Sequence, residues 1–388
     1  MPQSAKADLA LLCGEFIRCK LVIVSSFAVD FARALAHWFQ NSQREMPWRR
    51  AENYLDPYRI LVSEIMLQQT TVAAVTPFFE RFIARFPTVS SLASAPESEV
   101  LASWAGLGYY SRARNLHRAA QSVMGDHGGE FPTNFAQILA LPGVGRYTAG
   151  AVASIALGQR QPIVDANVAR VLSRVLLLEG DLKTASNQAK LWEGATQIVD
   201  VEEVSPREIN PALMELGALV CTPKNPKCEV CPVAPWCAAR AQNRQKELPF
   251  RAAKAAPMPV FDVCAFALNP DGEVLLRKRP ANARWWRGMW ELPRITRVEG
   301  ESDAQALSRL SEELDLGLEI GGEIARLKHG VTRFAVSLSC LEAKSTRSSD
   351  ESVQWISFEA AWELALPSSM KTLLEKLEKR PARQLQLL

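Results

Sequence analysis

Apolar residues recur every three or four positions from Phe31 to Arg240, and short polar connectors separate the periodic segments. This spacing places the apolar side chains on one face of an α-helix, and no sustained strand-like alternation interrupts it. We predict helices over residues 58–69, 75–86, 97–105, 111–125 and 134–141. The first part of the chain is therefore predicted to be mainly helical.

The pattern changes at Val260. Residues 260–267 and 273–278 alternate apolar and polar side chains around Asn269-Pro270-Asp271-Gly272, which predicts a β-hairpin. A helix over 304–314, strands around 323–328 and 333–341, and a final helix over 369–379 complete an α+β pattern. Residues 241–258, between the two patterns, are predicted to be an interdomain linker.

The chain has 388 residues, of which 48% are hydrophobic and 22% charged, as in a globular protein of two or three domains. Its net charge of +3 permits nucleic acid binding without arguing for it. Its apolar runs are shorter than the roughly 20 residues of a membrane span. The short run 21–24 follows Asp8 and Glu15, unlike a secretory signal, so we expect a cytoplasmic protein.

Two glycines, Gly143 and Gly145, mark a tight turn between predicted helices. Glycine allows backbone amides to approach an anion closely, and a new helix points unpaired N–H groups at the same place. Such a hairpin can bind a DNA phosphate without reading sequence. An ordinary connection between helices remains the alternative.

Asp165 and Asn167 stand at the start of another apolar-periodic helix. Asp is a preferred N-cap, so a purely structural role is one interpretation. The functional interpretation uses the same geometry, because helix amides hold a carboxylate ionised. An ionised carboxylate in that place can face a developing cation.

Glu64 lies on an apolar stripe, with Ile60, Leu61 and Leu67 at helical spacing around it. Desolvation there favours the protonated acid, although a partly buried ion pair is the alternative. Together with Asp165 the pattern suggests one protonated and one ionised carboxyl group. This division of roles is found in glycosidic chemistry.

Four cysteines, Cys221, Cys228, Cys231 and Cys237, crowd into one short loop. Four thiolates can bind either zinc or a 4Fe–4S cluster. Zinc ribbons usually carry two separated Cys-x-x-Cys pairs, whereas this loop carries one. The pattern indicates a metal centre in a reducing compartment.

From about Phe31 onward the chain resembles the helix-hairpin-helix DNA glycosylases, and within them the adenine DNA glycosylases of the MutY type. The resemblance rests on the hairpin, on residues 164–171, on the segment 63–70 and on the cysteine spacing, which matches the family's iron–sulfur loop. It implies that Glu64 protonates adenine at N7 and helps manage the attacking water. It also implies that Asp165 stabilises, or transiently bonds to, the oxocarbenium carbon, and that Asn167 positions Asp165. It also implies a 4Fe–4S cluster on the four cysteines.

The resemblance further implies a set of DNA contacts. The family inserts the residues that match Gln69 and Tyr109 into the base stack, where a wedge fills the gap left by an extruded base. Core packing is the alternative for Tyr109. The complete predicted DNA-binding set is Arg49, Gln68, Gln69, Tyr109, Gly143, Gly145 and Thr332.

Tyr147 occupies the hairpin position at which related lyase-type glycosylases carry a Schiff-base lysine. A phenol cannot perform that chemistry, so the resemblance implies an enzyme that does not cleave the strand, with Tyr147 counted among the catalytic residues. A packing role for Tyr147 is the alternative.

The C-terminal region resembles a Nudix fold through residues 286–293 and 300–313. A working Nudix hydrolase needs an Arg-Glu pair beside Glu-Glu, but Leu310 follows Arg309 here. We therefore expect a binding module that reads 8-oxoguanine through a loop containing Thr332. In two places the chain departs from the family: both neighbours of Thr332, and Ala166, where glycine is usual and alanine would be strained if φ were positive.

The expected architecture is a mainly α catalytic region, a six-helix barrel with an iron–sulfur domain, followed by an α+β Nudix-like domain. The predicted boundaries are 1–30 for an N-terminal extension, 31–240 for the glycosylase region, 241–258 for the linker and 259–388 for the lesion-recognition domain. The expected function is hydrolysis of adenine paired with 8-oxoguanine or guanine in double-stranded DNA, by a monomer without membrane contact. The alternatives are an endonuclease III-like pyrimidine glycosylase/lyase and a non-catalytic lesion-binding protein.

Overall fold

The structure is a computed structural model that describes residues 27–250, 255–347 and 349–379. Most of the predicted N-terminal extension, including the apolar run 21–24, therefore lies outside the described residues. Packing divides the described chain into two units. The first contains 27–83 and 119–250, and the second contains 84–118 and the described residues from 255 onward.

Helices occur in both units. In chain order they are α1 (27–42), α2 (Ala51–Tyr54), α3 (Pro57–Leu67), α4 (Val72–Arg85), α5 (Val89–Ser94), α6 (Glu97–Trp104), α7 (Ser111–Asp126), α8 (Phe135–Ala140), α9 (Arg146–Ala151), α10 (Ala166–Val175), α11 (Ala185–Val199), α12 (Pro206–Leu219), α13 (Ala238–Ala241), α14 (Asp303–Leu314), α15 (Phe358–Glu363) and α16 (Ser368–Glu378). Single 3₁₀ turns cover Pro47–Arg49, Cys228–Val230 and Ala234–Trp236, and a π-helical turn covers Val152–Ala156. The described residues of the first unit contain helices and no strand, which confirms the predicted helical region.

The second unit adds seven strands to its helices. They are β1 (Met258–Phe266), β2 (Val274–Lys278), β3 (Trp290–Glu291), β4 (Arg294–Thr296), β5 (Leu318–Val331), β6 (Phe334–Ser345) and β7 (Val353–Ile356). One sheet has the order β4-β1-β6-β5, with β1 and β6 parallel, and the other has the order β3-β2-β7. The α+β character is confirmed.

The predicted β-hairpin over 260–278 is wrong in its pairing. The turn forms, since the Asn269 amide donates to the Glu273 carbonyl at 3.0 Å, and a single bridge joins Leu268 to Val274. Beyond the bridge, β1 and β2 belong to different sheets. Both edges of β1 are already paired, one with β4 and the other with β6, so β2 cannot pair along it. Local alternation predicted the strands but could not reveal that distant segments pair with β1.

Alternate side chains of β1 explain why both faces of its sheet are covered. Cys264 and Phe266 pack in a core with α15 and α16, whereas Val263 and Ala265 pack in a second core with α14. The period of two along a strand sends successive side chains to opposite faces. Each face therefore has its own apolar layer.

The helix α3 begins where its sequence predicts. The Asp56 carboxylate accepts hydrogen bonds from the amides of Tyr58 and Arg59 at 2.9 and 3.3 Å, and Pro57 occupies the first turn, where its missing N–H costs nothing. The helix buries most of its length, from Ile60 to Met66. Glu64 is thereby carried into the interior of the first unit.

Candidate active site

A cavity of about 740 Å³ in the first unit brings together the catalytic residues predicted from sequence. Glu64 enters it from α3, Tyr147 from α9, and Asp165 and Asn167 from the start of α10. Four side chains from three separate chain segments thus face one volume, which is large enough for a nucleobase. Residues that act together in one reaction must face the same cavity, and these four do.

Glu64 is 4% exposed and receives a short hydrogen bond from the Tyr147 hydroxyl, with 2.5 Å between Tyr147 Oη and Glu64 Oε2. Burial raises the pKa of Glu64 to about 7, the bond from Tyr147 lowers it, and the nearby charge of Asp165 raises it. A carboxyl group with this pKa holds its proton to near neutral pH. Glu64 is thus suited to donate a proton.

The Tyr147 hydroxyl remains a hydrogen-bond donor. Burial raises its pKa well above the ordinary value for tyrosine, and the charges of Glu64 and Asp165 add to that effect. Its oxygen also lies 3.4 Å from the Met214 sulfur. The phenol therefore orients the Glu64 carboxyl group rather than acting as a nucleophile.

Asp165 caps the start of α10 and also lines the cavity. One oxygen accepts from the Val168 amide at 2.7 Å, as an N-cap does, and the other accepts from Asn167 Nδ2 at 2.9 Å. Burial raises the pKa of Asp165 above its ordinary value, while the hydrogen bonds from Val168 and Asn167 act in the opposite direction. The sequence predicted that helix amides would favour the ionised form and so lower the pKa of Asp165. The pKa is raised instead, because desolvation outweighs the hydrogen bonds from the amides.

Arg170, which the sequence patterns did not single out, holds Asn167 in turn. Its Nη2 donates to Asn167 Oδ1 at 2.8 Å and to the Gly217 carbonyl at 2.6 Å, and its Nε donates to the Cys221 carbonyl at 2.8 Å. A Cβ at Gly217 would lie 2.7 Å from Asn167 Cβ, so glycine allows α12 to approach α10 this closely. Asp165 is therefore fixed by a chain of buried contacts.

Ala166 carries no backbone strain. It is the first residue of α10 and is not among the described residues with a left-handed backbone. Alanine in place of the family's usual glycine therefore has no conformational cost at this position.

Arg49 lies in the same cavity, but its guanidinium is already paired. Its Nη2 is 2.9 Å from Glu215 Oε2, and Arg44 Nε is 2.6 Å from Glu215 Oε1. Burial alone would raise the pKa of Glu215, yet the two arginines hold it below its ordinary value. Glu215 was not predicted, because an acid on α12 has no distinguishing sequence signal.

Gln68 and Gln69 follow α3 at the rim of the cavity. Gln68 Nε2 lies 3.4 Å from the Thr148 hydroxyl, and Gln69 is exposed with a φ of 58°. A left-handed backbone at a non-glycine residue is uncommon and often marks a functional position. The exposure of Gln69 is compatible with the predicted insertion into DNA.

The hairpin joins α8 to α9. Gly143 has a φ of 76°, which only glycine adopts easily, and Gly145 is the N-cap of α9. The first backbone amides of a helix have no partner within that helix, and both glycines are exposed. The phosphate site at this turn stays a prediction.

The four cysteines surround a common cavity, into which Arg174 also projects. Arg174 Nη1 donates to Cys221 Sγ at 3.1 Å and to the Thr222 carbonyl at 2.9 Å. Within the part of the chain that the structure describes, no three His, Cys, Asp or Glu side chains are placed to hold a single metal ion. Four thiols around a shared space, with a guanidinium hydrogen-bonded to one sulfur, fit a cluster of several irons.

The second unit has a cavity of its own, also about 740 Å³. Tyr109, Trp286 and Thr332 line it, and Thr332 sits at the turn between β5 and β6 with a φ of 52°. His329 also faces it, and burial lowers the pKa of His329 to about 4, so the imidazole is neutral. Trp286, whose ring centroid is 6.0 Å from that of His329, was not predicted as a site residue.

Comparisons with known proteins follow the same division of the chain. The description "HhH-GPD superfamily base excision DNA repair protein" matches residues 62–197, "Iron-sulfur binding domain of endonuclease III" matches 221–237, and "NUDIX domain" matches 263–376. These matches define a base excision DNA repair protein with an iron–sulfur centre and a C-terminal Nudix domain.

The relatives are more specific. An adenine DNA glycosylase of Rattus norvegicus is 33% identical over 90% of this chain and 78% of its own, and one of Homo sapiens is 46% identical over 56% of this chain and 41% of its own. A solved thermostable thymine-DNA glycosylase is 32% identical with a TM-score of 0.50, over 56% of this chain and 98% of that chain. The chain belongs to the adenine DNA glycosylase family. Its alignment spans less than half of the human relative.

Proposed function

We propose that this protein removes adenine paired with 8-oxoguanine or guanine by hydrolysing the N-glycosidic bond, and that it leaves the DNA strand intact. The observation that carries the proposal is the single cavity that holds Glu64, protonated to near neutral pH, together with Asp165. The names of the relatives support adenine as the base.

The proposed reaction assigns one task to each carboxyl group. As the bond between adenine and the sugar breaks, its electron pair leaves with the base, and Glu64 supplies a proton to adenine N7. Asp165 stabilises the positive charge on the sugar. Water then adds to the charged carbon and passes a proton to the Glu64 carboxylate that the first step left. Asn167 and Tyr147 position the two acids through the hydrogen bonds described above. Protonation of a leaving group with stabilisation of an oxocarbenium ion is general glycosidic chemistry.

The DNA contacts are assigned to three places. Gly143 and Gly145 present backbone amides to a phosphate, Gln69 and Tyr109 enter the base stack, and Gln68 lies beside the extruded adenine. Arg49 is assigned to the adenine cavity itself, since its guanidinium is ion-paired there. The proposed partner is double-stranded DNA, bound by a monomer in the bacterial cytoplasm. No helix within the described residues has the length and apolar character needed to cross a membrane.

Lesion preference is assigned to the Nudix domain, which we propose hydrolyses nothing. On α14 the residue after Arg309 is Leu310, which is 1% exposed and packs in the core instead of facing a metal. Arg309 itself is paired with Glu301, with 2.9 Å between Nη2 and Oε2. Thr332 offers a hydroxyl to a base edge. Measurable hydrolysis of 8-oxo-dGTP by the purified protein would contradict this assignment.

Strand chemistry separates the proposal from its alternatives. We expect a duplex with adenine opposite 8-oxoguanine to break at the adenine only after alkali, and borohydride to trap little covalent protein–DNA adduct, because Tyr147 offers no amine. Breakage without alkali and efficient trapping would favour the lyase alternative. Binding without any alkali-labile site would favour a non-catalytic protein.

The iron–sulfur centre has its own test. The four cysteines would hold the cluster, which in this class is bound by thiolates. Protein purified without oxygen should be brown, absorb broadly near ~400 nm and contain about four irons, as a Cys₄ cubane does. Stoichiometric zinc with no iron would contradict the assignment.

A further inference from the structure

The segment Gly106–Tyr110 in the second unit has an unusual backbone. Gly106, Gly108 and Tyr109 all have positive φ values, of 116°, 71° and 49°. A tyrosine rarely adopts this left-handed backbone unless surrounding contacts hold it there. The Tyr109 side chain is 44% exposed, whereas Tyr110 is buried and donates a hydrogen bond to the Leu366 carbonyl at 3.1 Å.

The Arg112 side chain supplies two of the hydrogen bonds that hold this segment. Its Nη2 donates to the carbonyls of Leu107 and Gly108, at 3.2 and 3.1 Å. The Gly108 carbonyl also accepts from Trp104 Nε1 at 3.2 Å. Two adjacent carbonyl groups are thus fixed by one guanidinium immediately before Tyr109.

The same guanidinium also contacts the Tyr109 side chain. Its central carbon is 5.5 Å from the centroid of the Tyr109 ring and 5.6 Å from a ring centroid of Trp104. A cation within about 6 Å of an aromatic face is attracted to it. Arg112 therefore acts on both the backbone and the ring of Tyr109.

Placing an arginine here has a cost. Arg112 is 8% exposed, and burial lowers its pKa to about 10, although it remains a cation at neutral pH. A planar fork that donates to two carbonyls and contacts two rings is a geometry that lysine cannot reproduce.

We propose that Arg112 is a positioning residue that keeps Tyr109 in the exposed conformation needed for insertion into the base stack. The inference rests on the proposed function of Tyr109. A side chain that is already ordered before DNA binds loses little conformational entropy when it inserts. Its stacking energy is therefore not offset by an ordering cost. Arg112 would act through Tyr109 and would not contact DNA.

A double-mutant cycle tests this in the full-length protein with its cluster. The variants are Arg112→Met, Arg112→Lys, Tyr109→Ala and Tyr109→Ala combined with Arg112→Met, with Arg85→Met as the matched control. Arg85 is exposed and pairs with Glu99, within the same unit. The readouts are single-turnover adenine release from the 8-oxoguanine duplex and the fluorescence rise of 2-aminopurine placed beside the insertion site, which reports unstacking.

Base stacking on an aromatic ring is worth about 1–3 kcal/mol, so Tyr109→Ala should slow release by roughly five- to hundredfold. Arg112→Met should slow it comparably and abolish the fluorescence rise, and Arg112→Lys should recover part of both. The double variant should be no slower than Tyr109→Ala alone, and Arg85→Met should match wild type. Melting curves and cluster absorbance establish folding, and Arg112→Lys completes the cycle if Arg112→Met does not fold.

Two results would overturn the inference: one removes only the role of Arg112, and the other removes the insertion role of Tyr109 as well. A slow Tyr109→Ala variant with Arg112→Met at the wild-type rate, or with fully additive losses in the double variant, would overturn the role of Arg112 alone. A wild-type rate and fluorescence for Tyr109→Ala would overturn the insertion role of Tyr109 and, with it, this inference.

Discussion

The two cavities have the same volume, about 740 Å³ each, and opposite chemistry. The cavity of the first unit is lined by three acids and two arginines: Glu64, Asp165, Glu215, Arg44 and Arg49. The cavity of the second unit is lined by five cations, and none of its described lining residues is acidic: Arg114, Arg118, Arg284, Arg287 and Lys328. The two cavities therefore differ in the sign of the charges that line them and not in their volume.

This difference shows what each cavity can do. In the first unit buried acids are held by short hydrogen bonds, and the pKa of Glu64 is moved to about 7, which suits proton transfer at neutral pH. In the second unit Arg118, Arg284 and Arg287 are exposed near aromatic side chains, whereas Arg114 is partly buried and paired with Glu97 at 2.8 Å. Exposed cations attract phosphates but transfer no protons. We therefore propose that bond cleavage occurs in the first cavity and that the second cavity binds the DNA strand.

Removing the acid from the first cavity should have the largest effect. General acid catalysis contributes roughly 10²–10⁴-fold, so we expect Glu64→Gln to slow single-turnover release of adenine by about that factor. Duplex affinity should survive, because the amide keeps the shape of the carboxyl group. A Glu64→Gln rate near wild type would remove Glu64 from the mechanism.

Removing cations from the second cavity should weaken binding without changing the chemical step. Each lost phosphate contact lowers the slope of log affinity against log salt by about 1, so Arg118→Gln combined with Arg287→Gln should lower it by about 2. The single-turnover rate at saturating enzyme should stay the same, and Arg85→Gln serves as the control. An unchanged salt slope would mean that this cavity does not face the DNA backbone.

Thr332 offers a smaller and more selective effect. A single hydrogen bond contributes about 0.5–1.5 kcal/mol, so Thr332→Ala should lose up to that much preference for the 8-oxoguanine pair over the guanine pair. Thr332→Ser keeps the hydroxyl and should retain the preference. Equal preference in wild type and Thr332→Ala would place lesion reading elsewhere.

The pH profile should show the smallest change. The active form of Glu64 is protonated, so the rate should fall as pH rises above about 7, where this carboxyl group loses its proton. The hydrogen bond from Tyr147 lowers the pKa of Glu64, so Tyr147→Phe should move this alkaline limb to higher pH. A limb that moves to lower pH would contradict the assigned role of Tyr147.

Glu64 and Asp165 of the first cavity could be predicted from sequence because each carries a local signal. Glu64 is an acid on an apolar helical stripe, and Asp165 stands at a helix start, so each is unusual within its own segment. Their supporting residues, Glu215 and Arg170, could not be predicted in this way. A buried ion pair or carbonyl contact depends on segments about 50 to 170 residues apart.

The second unit was harder to predict for the same reason. The strands were predicted by alternation, but the pairing of β1 with β4 and β6 depends on contacts distant in sequence. Residues 84–118 pack with the second unit although their helical pattern continues that of the first. The predicted domain boundaries therefore remain a prediction, and a truncation near Pro257 would strip packing partners from these residues. Point substitutions test the second cavity more cleanly.

The most direct test of the central assignment is single-turnover release of adenine by the wild-type protein from two duplexes, one pairing adenine with 8-oxoguanine and one with guanine. We predict release from both duplexes, faster from the 8-oxoguanine pair. Thr332→Ala should narrow the difference between the two rates, and Glu64→Gln should slow release from each by roughly 10²–10⁴-fold. If Thr332→Ala and Glu64→Gln reduced both the lesion preference and the rate of release to the same extent, the proposed separate roles of the two cavities would be contradicted. Absence of adenine release from either duplex would contradict the proposed function itself.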